Sequence, residues 1–181
     1  ALESMPIYGT RCYGVLGCLE IDSSWYHFLH RPVNVFPIDR DALDVRFLLL
    51  TRSNFRRFQP LVAEDPASFA NSSFAGAKAI KLIIHGFIDT GETTWVVRMA
   101  EAFLRREDCN VIIVDWGGGS LPPYTQATAN VRLVALEIIH LLTVMLNNFG
   151  VEPGQVHIVG HSLGAHTAAY VGQAVRGLGR I

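Results

Sequence analysis

Lys81-Leu82-Ile83-Ile84 and Val111-Ile112-Ile113-Val114 are nearly continuous in apolar residues. A strand with one face in water alternates apolar and polar positions, whereas a strand covered on both faces need not. These runs therefore point to a parallel sheet sandwiched by helices. Two further β-type runs, Val45–Thr51 and Val156–Gly160, stand before and after them. The intervening sequence has helical period. Trp95, Met99 and Phe103 recur every fourth residue and give one apolar face to a helix of about three turns. Val131, Val134, Ala135, Ile138, Leu141, Leu142 and Met145 form a longer stripe, which Gly150 and Pro153 bring to an end. Strand, helix, strand, helix, strand is a series of βαβ crossovers, so the expected fold class is α/β.

A chain of 181 residues suffices for one domain, and folding at that size buries about 70% of the unfolded surface. Half the residues are hydrophobic and 17% are charged, which excludes a disordered chain. The formal net charge of −1 offers nothing to nucleic acid, and Arg52, Arg56 and Arg57 read as a solvated surface. No apolar stretch approaches the ~18 residues of a membrane span. Residues 1–40 contain Pro6, Pro32, Pro37 and several glycines without periodicity, and are expected to form an irregular N-terminal segment. The chain opens Ala1-Leu2-Glu3, with neither an initiator methionine nor a signal-peptide pattern, as a processed or incomplete protein would. Cys12 and Cys18 bracket two glycines, a turn-rich spacing that suits a local disulfide worth about 2 kcal/mol. Cys109 has no obvious partner and reads as a buried free thiol at the start of a strand. Asn71-Ser72-Ser73 is a glycosylation sequon. The sequon and the cysteine pair both lean towards an extracellular, secreted protein.

After the strand Val156-His157-Ile158-Val159 comes Gly160-His161-Ser162-Leu163-Gly164, followed by Ala165-His166-Thr167-Ala168-Ala169. A serine on a sharp strand-to-helix turn holds its hydroxyl up at the carboxyl edge of a sheet, where it can act as a nucleophile. Glycines two before and two after are required because a Cβ at either place would strike the neighbouring strand or helix. The helix N-terminus adds orphan N–H groups and partial positive charge, so the Leu163 N–H is placed to meet a developing oxyanion. The second donor is expected from the loop after an earlier strand. His85-Gly86-Phe87 ends the Ile80–His85 run, and Gly86 lets the backbone bend to present the Phe87 N–H.

Taken together, several stretches resemble the pancreatic lipase family of secreted animal lipases. They are Cys12–Cys18, Arg46-Phe47-Leu48-Leu49 followed by Thr51, Ile83–Asp89, Val114-Asp115-Trp116, Tyr124-Thr125-Gln126-Ala127 and Val156–His166. They stand in the family's order from residue 12 to the end. The resemblance implies the N-terminal part of an α/β-hydrolase domain over residues 1–181, with an incomplete, mostly parallel sheet and helices on both faces. It implies cleavage of lipid carboxylic esters, triacylglycerol or phospholipid, at a lipid–water interface. Ser162 would be the nucleophile, Phe87 and Leu163 the oxyanion pair, Tyr124 a residue lining the acyl site, and Cys12–Cys18 a family disulfide. The segment Gly86–Thr94 corresponds to a loop that rearranges at the interface. No cofactor or metal is implied, and a colipase-type partner is not inferable from these residues. Cys109 does not fall on a family cysteine, and Ala100 stands where some members carry its expected partner.

A serine hydroxyl needs a histidine to take its proton and an acid to orient that histidine, in the order Ser, Asp or Glu, His for this fold. After Ser162 the sequence has no Asp or Glu and one histidine, His166, one helical turn on. His166 reads as a packed supporting residue. His85 and Asp115 sit at strand ends, but His85 is committed to the oxyanion turn and Asp115 reads as satisfying nearby backbone. The triad acid and base are accordingly expected beyond Ile181, and the Val156–Gly160 strand is expected to carry an unpaired edge. The alternative reading is a catalytically inactive lipase-like chain that at most binds lipid or a partner.

Overall fold

The computed structural model describes residues 8–29 and 33–181. Pro6 and Pro32 lie outside the described residues. The first elements form a hairpin rather than an irregular segment: β1 (Gly9–Cys12) pairs antiparallel with β2 (Cys18–Ile21), and Cys12 stands opposite Cys18 and is disulfide-bonded to it. Gly14 and Gly17, at φ 60 and 88, make the turn that brings the cysteines together. Four-residue strands with exposed positions carry too little apolar pattern to be read in advance.

A short helix α1 (Arg40–Leu43) leads into β3 (Arg46–Leu50), which is followed by β4 (Gln59–Leu61), α2 (Pro66–Ala70) and β5 (Ile80–Ile84). Then come α3 (Thr94–Arg106), β6 (Asn110–Asp115), α4 (Tyr124–Asn148), β7 (Val156–Gly160) and α5 (Leu163–Ala174). The five-stranded sheet runs β4-β3-β6-β5-β7. β5 lies parallel to both β6 and β7, whereas β3 is antiparallel to both β4 and β6. The sheet is therefore mixed, not mostly parallel. Only the βαβ crossovers enforce parallel pairing; β3 and β4, joined by a short connection, are free to pair as neighbours in the antiparallel sense.

The apolar runs divide between two faces as the pleat requires. Leu82, Ile84, Ile112 and Val114 meet α4 and α5 on one face, while Ile83, Val111 and Ile113 meet α3 on the other. The molecule is thus a three-layer α/β structure. On α3 the fully buried stripe is Val96, Ala100 and Leu104, one position beyond the expected Trp95, Met99 and Phe103, which are half-buried flanks. The stripe read on α4 is buried in full. α4 is long and apolar enough to cross a bilayer by length and composition, yet that stripe packs against the sheet.

β7 is the edge of the described sheet. Its first residues are met by the chain's own return: Ile158 N–H donates to Arg180 O at 2.9 Å and Gly179 N–H to Val156 O at 3.1 Å.

Candidate active site

The carboxyl ends of β5 and β7 lie side by side, with Ile84 opposite Gly160, and the His161 N–H donates to Ile84 O at 3.0 Å. The connection after β5 leaves through α3 on one face, and β7 continues into α5 on the other. Such a divergence is where open α/β sheets leave a crevice for ligand.

Ser162 sits at this point, exposed, with φ 53 and ψ −118. This backbone conformation is rare for a residue with a side chain. The surroundings impose it. A methyl group on Gly160 would collide with the Gly164 carbonyl, and one on Gly164 would collide with the carbonyl of Ile84. A methyl on Gly86 would lie 2.9 Å from Ser162 Cβ. Strand β7, the first turn of α5 and the end of β5 therefore approach more closely than any Cβ allows. In that first turn the Gly164 N–H donates to His161 O at 2.8 Å and the Ala165 N–H to Ser162 O at 2.9 Å. The Leu163 N–H, at the positive end of α5, finds no acceptor among the described residues.

The loop after β5 supplies the other wall. Phe87 is half-buried, and its ring meets Tyr124 edge-on at 4.9 Å between centroids. Tyr124 opens α4 and is about half exposed, so it is a residue of the rim and not of the core. Ile88, exposed and at φ 66, donates its N–H to Ser120 O. Asp89 accepts from Trp95 Nε1 at 3.3 Å and lies 3.9 Å from His161 Nδ1, while the Trp95 and His161 rings meet at 5.0 Å. Asp89, Trp95, His161 and Ser120 were not read from the sequence as site residues: Trp95 was assigned to a helix face, Asp89 and His161 only to motif stretches, and the only signal for Ser120 was the Gly117-Gly118-Gly119 run before it.

His85 and Asp115 do not face the serine as a base and acid. His85 is fully buried; its Nδ1 donates to Gly86 O at 3.0 Å, its Nε2 accepts the Trp116 N–H at 3.1 Å, and its ring stacks on Trp116. Asp115 Oδ1 accepts the N–H groups of Gly91 (2.9 Å) and Gly117 (3.1 Å), and its Oδ2 meets Arg46 at 2.5 Å. Burial alone would raise the Asp115 carboxyl; the adjacent His85 edge, the two amides and Arg46 outweigh it and hold the group well below the usual carboxylate range. The two amides and Arg46 are the firm contacts, because His85 Nε2 is already occupied by the Trp116 N–H. His166 is exposed, not packed: it lines a cavity of about 240 Å³ together with Tyr124, Leu163, Tyr170, Trp25 and Asn34. Asn71 is exposed at the end of α2. Cys109 is free and fully buried against α3, and burial pushes its thiol up to about 11.

The fold is thus an α/β sheet with a serine held at positive φ between β7 and α5. A model of the lipase family matches residues 9–181. Pancreatic lipase-related protein 2 of Myocastor coypus is 43% identical over 171 residues, covering 94% of this chain and 36% of that protein. Pancreatic triacylglycerol lipase of Equus caballus is 42% identical over 171 residues, or 94% and 37% of the two chains. The inactive pancreatic lipase-related protein 1 of Mus musculus is 41% identical over 170 residues, or 94% and 36%. The chain belongs to the pancreatic lipase family. It spans little more than a third of the length of these relatives.

Proposed function

We propose that the chain carries the nucleophile and oxyanion half of a secreted serine hydrolase acting on lipid carboxylic esters, triacylglycerol or phospholipid, within an α/β-hydrolase domain. The observation that carries this reading is Ser162 itself, exposed at φ 53 on the turn from β7 into α5, where glycines bring three elements within backbone contact. In this reading Ser162 Oγ attacks the ester carbonyl, the Leu163 and Phe87 N–H groups receive the oxyanion, and Tyr124 lines the acyl side. Loss of one such donor costs about 3–4 kcal/mol of transition-state stabilisation. The disulfide of the β1–β2 hairpin supports an extracellular location, and the exposure of Asn71 supports its use as a glycosylation site.

The second reading, a catalytically inactive lipase-like chain, has its own support. His85 and Asp115 are spent on structure, and the relatives of near-equal identity include one named inactive. Burst and steady-state release from a p-nitrophenyl ester separates the two. The full polypeptide encoded by the gene is expected to turn over, with Ser162→Ala lowering kcat by at least about 10³-fold. Residues 1–181 alone are expected to show no turnover. Unchanged turnover in Ser162→Ala would overturn the nucleophile assignment, and a Ser162-dependent burst from residues 1–181 would overturn the expected inertness of the isolated chain.

A further inference from the structure

We infer that Ser120 is a positioning residue, clamping the loop that presents the Phe87 N–H; the inference rests on the ester-hydrolase reading above. The Ser120 carbonyl accepts the Ile88 N–H at 3.0 Å, and its hydroxyl donates to the Asp89 carbonyl at 2.8 Å. One residue thus grips the backbone on both sides of the two positions that follow the oxyanion donor. Ile88 needs that grip. It is β-branched at φ 66, a backbone such residues strongly disfavour, and its side chain is 60% exposed, so core packing does not impose the conformation.

Ser120 is itself fully buried and rigidly mounted. The neighbouring Gly119 carbonyl accepts from Asn130 Nδ2 at 2.9 Å. Asn130 lies inside α4, 1% exposed, and its Oδ1 accepts from Ile38 N–H and from Gln126 Nε2, each at 3.0 Å. Gly118 and Gly119 press so closely on Leu43 that neither has room for a Cβ. Contact therefore runs from the core helix through Asn130 and Ser120 to the loop. The far end of the loop has a separate anchor, the Gly91 N–H on Asp115. Without the Ser120 clamp, Ile88 is free to relax to negative φ; that rotation turns the Phe87–Ile88 peptide and displaces Phe87, so that its N–H, which belongs to the adjoining Gly86–Phe87 peptide, is drawn away from the serine.

The test uses the full polypeptide, a soluble short-chain p-nitrophenyl ester, and backbone amide exchange. Ser120→Ala is expected to lower kcat about 10- to 100-fold, less than the ~10²–10³-fold of removing an oxyanion donor outright, with KM changed less than about twofold. The variant keeps the carbonyl that accepts the Ile88 N–H and removes the hydroxyl that holds the Asp89 carbonyl; if that hold is what keeps the loop closed, exchange at the Ile88 amide should quicken by about tenfold or more, while the Gly91 amide keeps its protection. Adding Ile88→Asn, a residue that tolerates the left-handed backbone, should restore most of the lost kcat, which a merely destabilised fold would not permit. Unchanged exchange at Ile88 overturns the clamp whatever the activity does. Unchanged kcat, or a loss of kcat that Ile88→Asn does not rescue, overturns the positioning role. Absence of any Ser162-dependent turnover in the wild type instead defeats the hydrolase reading, and amide exchange alone then decides the clamp.

Discussion

Ser162 keeps its strained backbone because the atoms around it leave no alternative. Gly164 would place a methyl against the carbonyls of both Ile84 and His85, groups fixed by the sheet and unable to yield. Gly164→Ala is therefore expected to destabilise the fold by about 1–3 kcal/mol, the usual cost of overpacking, read as a lower urea midpoint at unchanged slope. Gly154→Ala is the control: nothing lies within 4 Å of its added methyl and its φ is not positive. It should shift stability by less than about 1 kcal/mol, in the stabilising direction. If the two variants behave alike, the close approach at Gly164 is not what holds the serine. The two glycines that flank the serine were legible in the sequence for this reason, since only steric necessity explains both spacings. Asn130 was not: a single polar residue within an apolar helical stripe shows nothing of the Ile38, Gly119 and Gln126 groups it satisfies from distant parts of the chain.

Among the elements, α3 shows how far periodicity reaches. The sequence established a helix with an apolar side, but large residues drew the reading to Trp95, Met99 and Phe103. The residues buried against β5 and β6 are Val96, Ala100 and Leu104, and the larger side chains flank them. Leu104→Ala is expected to cost about 2–4 kcal/mol, and Met99→Ala about 1 kcal/mol, since its side chain is half-buried. Thermal unfolding of both variants checks the phase, and a larger loss at Met99 would reverse it. β5 and β6 were readable because both their faces are covered, and β7 because of the strand-turn-helix motif it opens. β1, β2 and β4 were not, because strands of three or four residues, one of them carrying Pro60, gain their order from partners rather than pattern.

At the scale of the whole molecule, Asp115 joins β6 to β3 through Arg46 and to the loop after β5 through Gly91. Its folded-state pKa is depressed, so the stability it contributes is fully present above the ordinary carboxylate value near 4 and is lost as pH falls below it. Asp115→Asn should destabilise the protein by about 1–3 kcal/mol at pH 7, and urea titrations should show that gap closing from about pH 4 downwards. A gap independent of pH would mean that size and hydrogen bonding, not charge, matter at this position. The two cores, one on each side of the sheet, also give the molecule a means of timing its own opening. Cys109 is the one cysteine of three outside the disulfide, sealed beneath α3 with its thiol pushed up to about 11. A thiol reagent can reach it only while that helix is lifted from the sheet, so the labelling rate acts as a clock for one layer, independent of whatever happens at the serine on the other side.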